Sequence, residues 1–524
     1  MKIYYNGDIV TMNGGRVCEA LLEDGGKIKA VGTLEEIKKL AGTNAQTTDL
    51  GGKALLPGFI DAHSHFVQFA GSLRFVSMAK CKTIDEICDT LIEYREKNQI
   101  DSDAWIIGFG YDHNNLAEKR HPTKQELDRI SRTNPVLISH ASGHMGCVNS
   151  RALELSEIDE NTENPQGGVI GRVGNTKEPS GYLEETAFMG LASGAPQPSE
   201  KEMLTLLKRA QEIYFSFGVT TAQDGLMKDM EFSLLKAADD TGVLKLDVIG
   251  YADIKSCPEL VSGNPGLAAY HGHFKIGGYK LFLDGSPQGR TAWLTEPYTK
   301  QDDQPDDYSG YAIYKDKEVD AYVEKAEKEG RQLLTHCNGD AAIDQLLNAH
   351  KKPTLNRNVI IHAQTIRLDQ LERVKYLGLM PSYFVAHTYY WGDTHIKNLG
   401  AERAGIISPI ASTEKLGIPF TFHQDSPVLV PDMIDTVWCA VNRVTKDGVQ
   451  LSPDEAVSIE TALRGVTVNG AYQYFEESTK GTLEAGKRAD MVILSENPLN
   501  VQREKLREIK VSETIKDGES VFKR

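Results

Sequence analysis

Residues 55–65 read LLPGFIDAHSH, an apolar run that closes on Asp61, His63 and His65. On a strand, residues two apart point to the same face, so both imidazoles can approach one metal ion. A lone pair of this kind is weak evidence and reads more readily as two strand histidines satisfied by hydrogen bonds, so its surroundings decide. Counting the run at 54–60, ten apolar runs recur along the chain, the others at 105–109, 136–138, 219–222, 244–249, 276–283, 332–335, 358–361, 379–385 and 418–422. Helical patterns over 200–217, 317–329, 341–350 and 368–377 lie between most of the later ones. Strand alternating with helix predicts an α/β protein of βαβ units around a parallel sheet. The runs at 105 and 136 fall in a long, turn-rich region, about 66–205, without the helical spacing seen later. Assigning that region to an insertion leaves eight strands, the number of a (β/α)8 TIM barrel. Short strand-like segments at 2–6, 9–12, 21–31, 491–494 and 519–522 predict a small β-sandwich-like subdomain formed by both chain termini. The expected division is 1–56 with 478–524 as the β-rich subdomain and 57–477 as the barrel.

Composition narrows the function classes. The 524 residues carry 58 Lys+Arg against 74 Asp+Glu, a formal net charge of −16. That balance argues against nucleic acid or an anionic membrane surface as partner, since either needs a basic stripe. No apolar run approaches the ~18 residues of a membrane span, and the first residues lack a basic segment followed by an apolar one. The seven cysteines are scattered and never form a CxxC pair, so they read as buried thiols in a reducing compartment. A cytoplasmic protein acting on a small-molecule substrate is the expectation, with a homodimer left open.

The company of His63 and His65 favours a metal site. Lys280 lies in GGYKLFLDGS, His336 in RQLLTHCNGD, His362 directly after NVII, and Asp425 closes IPFTFHQD. On the eight-strand count these fall on strands four, five, six and eight, with the histidine pair on strand one. All sit at or near the C-terminal strand ends, the face where barrel active sites are built. Independent structural histidines would not gather there. Lys280 could otherwise be an amphipathic lysine reaching solvent, and Asp425 a turn cap before Pro427.

This series resembles the metal site of the amidohydrolase superfamily, and more narrowly the branch typified by N-substituted formamide deformylase. The likeness runs through LLPGFIDAHSH, GFGYDHN, HPTKQELD, SGHMGCVNSRAL, KLFLDGSPQGRTA, THCNGDAAID, IHAQ, FHQDSPV and GTLEAGKRADMVIL. Two departures stand beside it: the residues before Arg290 in SPQGRTA, and His423-Gln424 ahead of Asp425. The resemblance implies a binuclear centre, most often zinc, with His63, His65, Lys280, His336, His362 and Asp425 as ligands. Lys280 would be carboxylated and bridge the ions; an ammonium beside two cations is repelled, whereas its carbamate is an anion with two oxygen donors. Metal-activated water would attack a C–N carbonyl carbon, with Asp425 as the catalytic base. His144, Tyr111, Asp112, His387 and Trp391, with Asp393 nearby, resemble segments that line the site in relatives and are candidate substrate contacts. Alternatives are a heterocycle deaminase, which in relatives commonly lacks the lysine, and a non-catalytic pseudo-hydrolase, which tends to lose ligands.

Two further motifs are decoys. His271-Gly-His273 precedes its strand, which places it on the barrel's stability face. GTLEAGK fits the phosphate-loop spacing, but Arg488 stands where Ser or Thr is needed.

Overall fold

The computed structural model describes the whole chain other than residues 99, 114, 141–144, 166, 195–197 and 301–304. Its central element is a sheet of eight parallel strands in sequential order. They are β1 (Phe59–Ile60), β2 (Val219–Met227), β3 (Asp247–Asp253), β4 (Phe274–Phe282), β5 (Gln332–Cys337), β6 (Val359–His362), β7 (Met380–Tyr383) and β8 (Thr421–Phe422). The amides of His65 and Asp425 donate to the carbonyls of Ser426 and His63, which ties the segment after β1 to the segment after β8. The sheet thereby returns on itself as a TIM-like barrel. Its strands are buried on both faces and read as near-continuous apolar runs. Ile60, Ile249, Leu334, Val359 and Ile361 pack together as one cluster of its core. Helices such as Asp316–Lys328, Asp340–Ala349 and Leu368–Leu377 follow the pattern read from the sequence.

The structure corrects one expected strand. The run 54–60 is two strands in different sheets. Ala54–Pro57 pairs antiparallel with Met491–Leu494 and parallel with Asp8–Ile9, while Phe59–Ile60 pairs with β2. Gly58 is the switch: a Cβ there would meet the Thr220 side chain at 2.5 Å, so only glycine lets the chain cross so close to β2. Strands from both termini join in one eight-stranded sheet that includes Lys2–Val10, Val17–Asp24 and Val511–Lys516. One of its clusters contains Tyr4, Leu21, Leu55, Met491 and Ile515, and another places Ile3, Ala20 and Leu22 against the helix Leu34–Ala41.

Beneath β3 a buried charge cluster holds this sheet to the barrel. Asp247 at the start of β3 lies 2.7 Å from Lys480, 3.0 Å from Arg488 and 3.1 Å from Lys516, and 2.7 Å from His273 Nδ1. Against desolvation, which would raise it, the charges of Lys480 and Lys516 hold this carboxyl well below its ordinary value. His271 and His273 are thus engaged with Asp239 and Asp247 ahead of β4.

Residues Ala70–Leu206 form a second compact unit. Its six-stranded mixed sheet runs Gly168–Arg172, Pro179–Glu185, Met145–Val148, Val136–His140, Ile106–Tyr111 and Phe75–Ser77 in spatial order. Ile87, Leu91, Ile106, Ile138 and Cys147 lie in its core. All seven cysteines of the chain are free. No helix of the described residues is long and apolar enough to cross a membrane.

Candidate metal centre

His63 and His65 follow β1, Lys280 lies near the end of β4, His336 near the end of β5, His362 ends β6, and Asp425 follows β8. Their polar atoms meet. His63 Nε2 is 3.2 Å from Lys280 Nζ and 3.5 Å from Asp425 Oδ1, which is 3.4 Å from His65 Nε2. On the other side, His362 Nε2 lies 3.0 Å from His336 Nδ1. His362 and Asp425 both adopt left-handed backbone, with φ of 73° and 53°. For residues other than glycine that is a sparsely populated region, held only where the surroundings over-determine it.

The imidazoles are oriented from behind. The Nδ1–H of His63 donates to Gln223 Oε1, leaving Nε2 as the free lone pair that faces Asp425 and Lys280. Gly225 makes room for this ring, because a Cβ there would lie 2.5 Å from His63 Cε1. His336 donates from Nε2 to the Gly285 carbonyl at 3.0 Å, which turns its Nδ1 inward. His362 points Nδ1 at His423 Nε2, 3.1 Å away, and His423 Nδ1 in turn meets Ser382 Oγ at 2.9 Å. Asp284 holds the adjoining loops by accepting from the amides of Trp293, Asn338 and Gly339. Sequence reasoning did not assign Gln223, Ser382 or Asp284 to the site, and noted His423 only as a departure from the usual pattern.

Burial sets the charge states. Desolvation, then the neighbouring Lys280, depresses His63 well below its ordinary pKa and His336 to about 4, so both rings are neutral donors at pH 7. Desolvation also brings the Lys280 amine down to about 7, against the opposing pull of Asp425. Asp425 is depressed below its ordinary value: burial would raise it, but the adjoining His65 imidazole outweighs that. Its Oδ1 is nonetheless buried without a hydrogen-bond partner. A buried carboxylate oxygen left unsatisfied between two imidazole nitrogens is costly unless a cation lies there. Neutral imidazoles with a carboxylate make a donor set suited to a divalent ion of the zinc type.

The other sequence candidates divide. His387 and Trp391 lie after β7. His387 is buried, with Nδ1 2.9 Å from His395 Nε2 and its ring packed on Phe384 and Trp391. Trp391 is half-buried. Asp393 accepts from the Thr445 hydroxyl at 2.6 Å, a loop tie. Tyr111 is buried in the core of the second unit, its hydroxyl engaged with His121 and Cys147. Asp112 is half-buried beside His113 and His140. His144 lies outside the described residues.

A TIM-like barrel whose C-terminal strand ends bring histidines, a buried lysine and an aspartate to one point has the architecture of a metal-dependent hydrolase. The family model for the amidohydrolase family matches residues 46–522, and the chain belongs to that family. It is 28% identical to N-substituted formamide deformylase of Arthrobacter pascens over 98% of this chain and 96% of that one. Two solved structures, each of an uncharacterized metal-dependent hydrolase, superpose with a TM-score of 0.76. The one from Pyrococcus furiosus is 26% identical and covers 95% of this chain and 100% of its own. The one from Pyrococcus horikoshii is 28% identical and covers 96% and 99%.

Proposed function

We propose that this chain hydrolyses a C–N bond of a small molecule, an amide, N-formyl or cyclic amide, at a centre of two divalent ions, zinc by preference. His63, His65, Lys280, His336, His362 and Asp425 would hold them. The observation that carries this reading is the buried, unpartnered Asp425 Oδ1 set between His63 Nε2 and His65 Nε2. Bound divalent metal supplies an acidified water and polarises the substrate carbonyl. Asp425, ionised at neutral pH, accepts the proton of the attacking water and delivers it to the departing nitrogen. Lys280, as its carbamate, supplies anionic oxygens in place of an ammonium that would repel the ions. Burial favours this, because carbamate forms when the neutral amine adds dissolved carbon dioxide and releases a proton, and Lys280 is half neutral near pH 7. Gln223 and Gly285 hold His63 and His336 in the tautomers that donate inward. The similarity to a formamide deformylase makes N-formyl amines the first substrates to try.

Metal-loaded enzyme should therefore be screened against N-formyl and N-acyl amines, with Asp425→Asn in parallel. Asparagine keeps the shape and an oxygen toward the metal but takes no proton. Metal content should survive, while kcat falls by ~10²–10⁴, the usual worth of general acid–base catalysis. Turnover within a few-fold of wild type would make Asp425 a turn cap and remove it from the chemistry.

A further inference from the structure

The unit Ala70–Leu206 contains a second cluster of ligand-type side chains, none of them among the barrel ligands. The strand Ile106–Tyr111 runs straight into Asp112 and His113, and its parallel neighbour Val136–His140 ends on His140, with Tyr111 opposite His140 in the register. Strand pairing alone thus delivers two imidazoles and a carboxylate to one end of the sheet. His113 Nδ1 lies 3.3 Å from His140 Nε2, His140 Nε2 lies 3.4 Å from Asp112 Oδ1, and His113 Nδ1 lies 3.9 Å from Asp112 Oδ1. A point equidistant from the three corners of that triangle is about 2.1 Å from each, a Zn–N or Zn–O bond length.

The spacing of the three donor atoms suits a cation. His140 Nε2 faces the His113 nitrogen and the Asp112 oxygen at nearly equal distances. A cation at the centre satisfies all three donors at once. The ring behind His113 is also fixed in place. His121 lies against it with centroids 4.1 Å apart, stacks on Tyr182 at 4.3 Å, and meets the Tyr111 hydroxyl at 2.9 Å. Such backing holds a ligand ring at its bonding angle. Asp112 and His113 remain 31% and 28% exposed, so an ion has a path in.

We propose that Asp112, His113 and His140 bind a divalent cation of the zinc class, a site additional to the barrel centre. Asp112 is then a metal ligand, not a substrate contact. The ion cross-links the ends of two neighbouring strands.

Crystals of the full-length protein grown with zinc in excess, with diffraction data collected on both sides of the zinc edge, test this directly. An anomalous peak within bonding distance of Asp112, His113 and His140 is expected. A map whose peaks all lie beside the barrel ligands overturns the proposal. In solution, the variant carrying His113→Ala and His140→Ala should hold one zinc fewer per chain than wild type after dialysis, with the barrel peak retained in its own crystals. Equal zinc content in the two proteins also overturns it. Should the variant fail to fold, the wild-type anomalous map decides alone.

Discussion

Gln223→Leu removes one atom that the metal centre leans on and little else. In the native chain the amide accepts from His63 Nδ1 and donates to the Ala62 carbonyl at 3.0 Å and the Tyr474 hydroxyl at 3.1 Å. Two of these partners have other bonds: Ala62 O also accepts from Gln473 at 2.8 Å, and the Tyr474 hydroxyl donates to Asp61 O at 3.1 Å. Leucine is close in shape, so the net loss is a single buried, unpaired N–H on His63. An unsatisfied buried donor costs ~1–3 kcal/mol of stability. Loss of the group that fixes a ligand's tautomer weakens metal binding roughly 10–100-fold, or about 1.4–2.7 kcal/mol. Competition against a chelator of known zinc affinity measures the second quantity, and denaturant unfolding of metal-free protein the first. Gln223→Glu, which keeps an acceptor for His63 Nδ1–H, should bind metal as tightly as wild type or more so. Affinity within two-fold of wild type for Gln223→Leu would refute the idea that this hydrogen bond sets the His63 tautomer.

Three more outcomes are expected. Lys280→Ala should lose activity and regain part of it with small carboxylic acids, which can occupy the vacated space and supply oxygens; absence of rescue in a metal-loaded variant would count against the carbamate. Reactivation of metal-free enzyme by zinc at fixed dissolved carbon dioxide should accelerate about tenfold per pH unit below pH 7 and level off above it, following the neutral fraction of Lys280; a flat profile between about pH 6 and about pH 8 would contradict this. Asp247→Asn should destabilise the fold by about 3–5 kcal/mol, the cost of breaking a buried pair and leaving charges uncompensated. Because the native carboxyl is depressed, its contribution is present above the unfolded pKa near ~4 and is lost as pH falls through the folded value, so the gap between wild type and variant should narrow in acid.

The strand ends carrying Lys280, His336, His362 and Asp425 were legible because each interrupts an apolar run with a ligand-type residue, and barrel geometry then sends them to one face. The split of 54–60 was not, since both halves are fully buried and an unbroken apolar run carries no mark of which sheet it serves. Gln223 was missed for a related reason: a lone amide inside a buried strand looks like any satisfied polar residue until its partner, 160 positions away, is known. His423 was visible as a residue, but its function depends on Ser382, which the chain order separates from it by 41 positions. The packing of Tyr111 was not legible, because an aromatic in a glycine-rich motif resembles a pocket wall, while its neighbours Cys147 and His121 hold it in the core.

The sheet made from both termini has a consequence for synthesis. Lys2 donates to the Gly518 carbonyl across 516 positions, and Ala54–Pro57 pairs with Met491–Leu494, a strand that leaves the ribosome more than 400 residues later. At ~5–20 residues per second, the N-terminal strands wait roughly half a minute or more with an unpaired edge and an uncovered apolar face. Ala70–Leu206, contiguous in sequence, is free to fold during that interval. Chaperone demand in the cell should therefore fall on the first fifty or so residues of the nascent chain, and truncation of the last strands should leave a protein that is made but trapped.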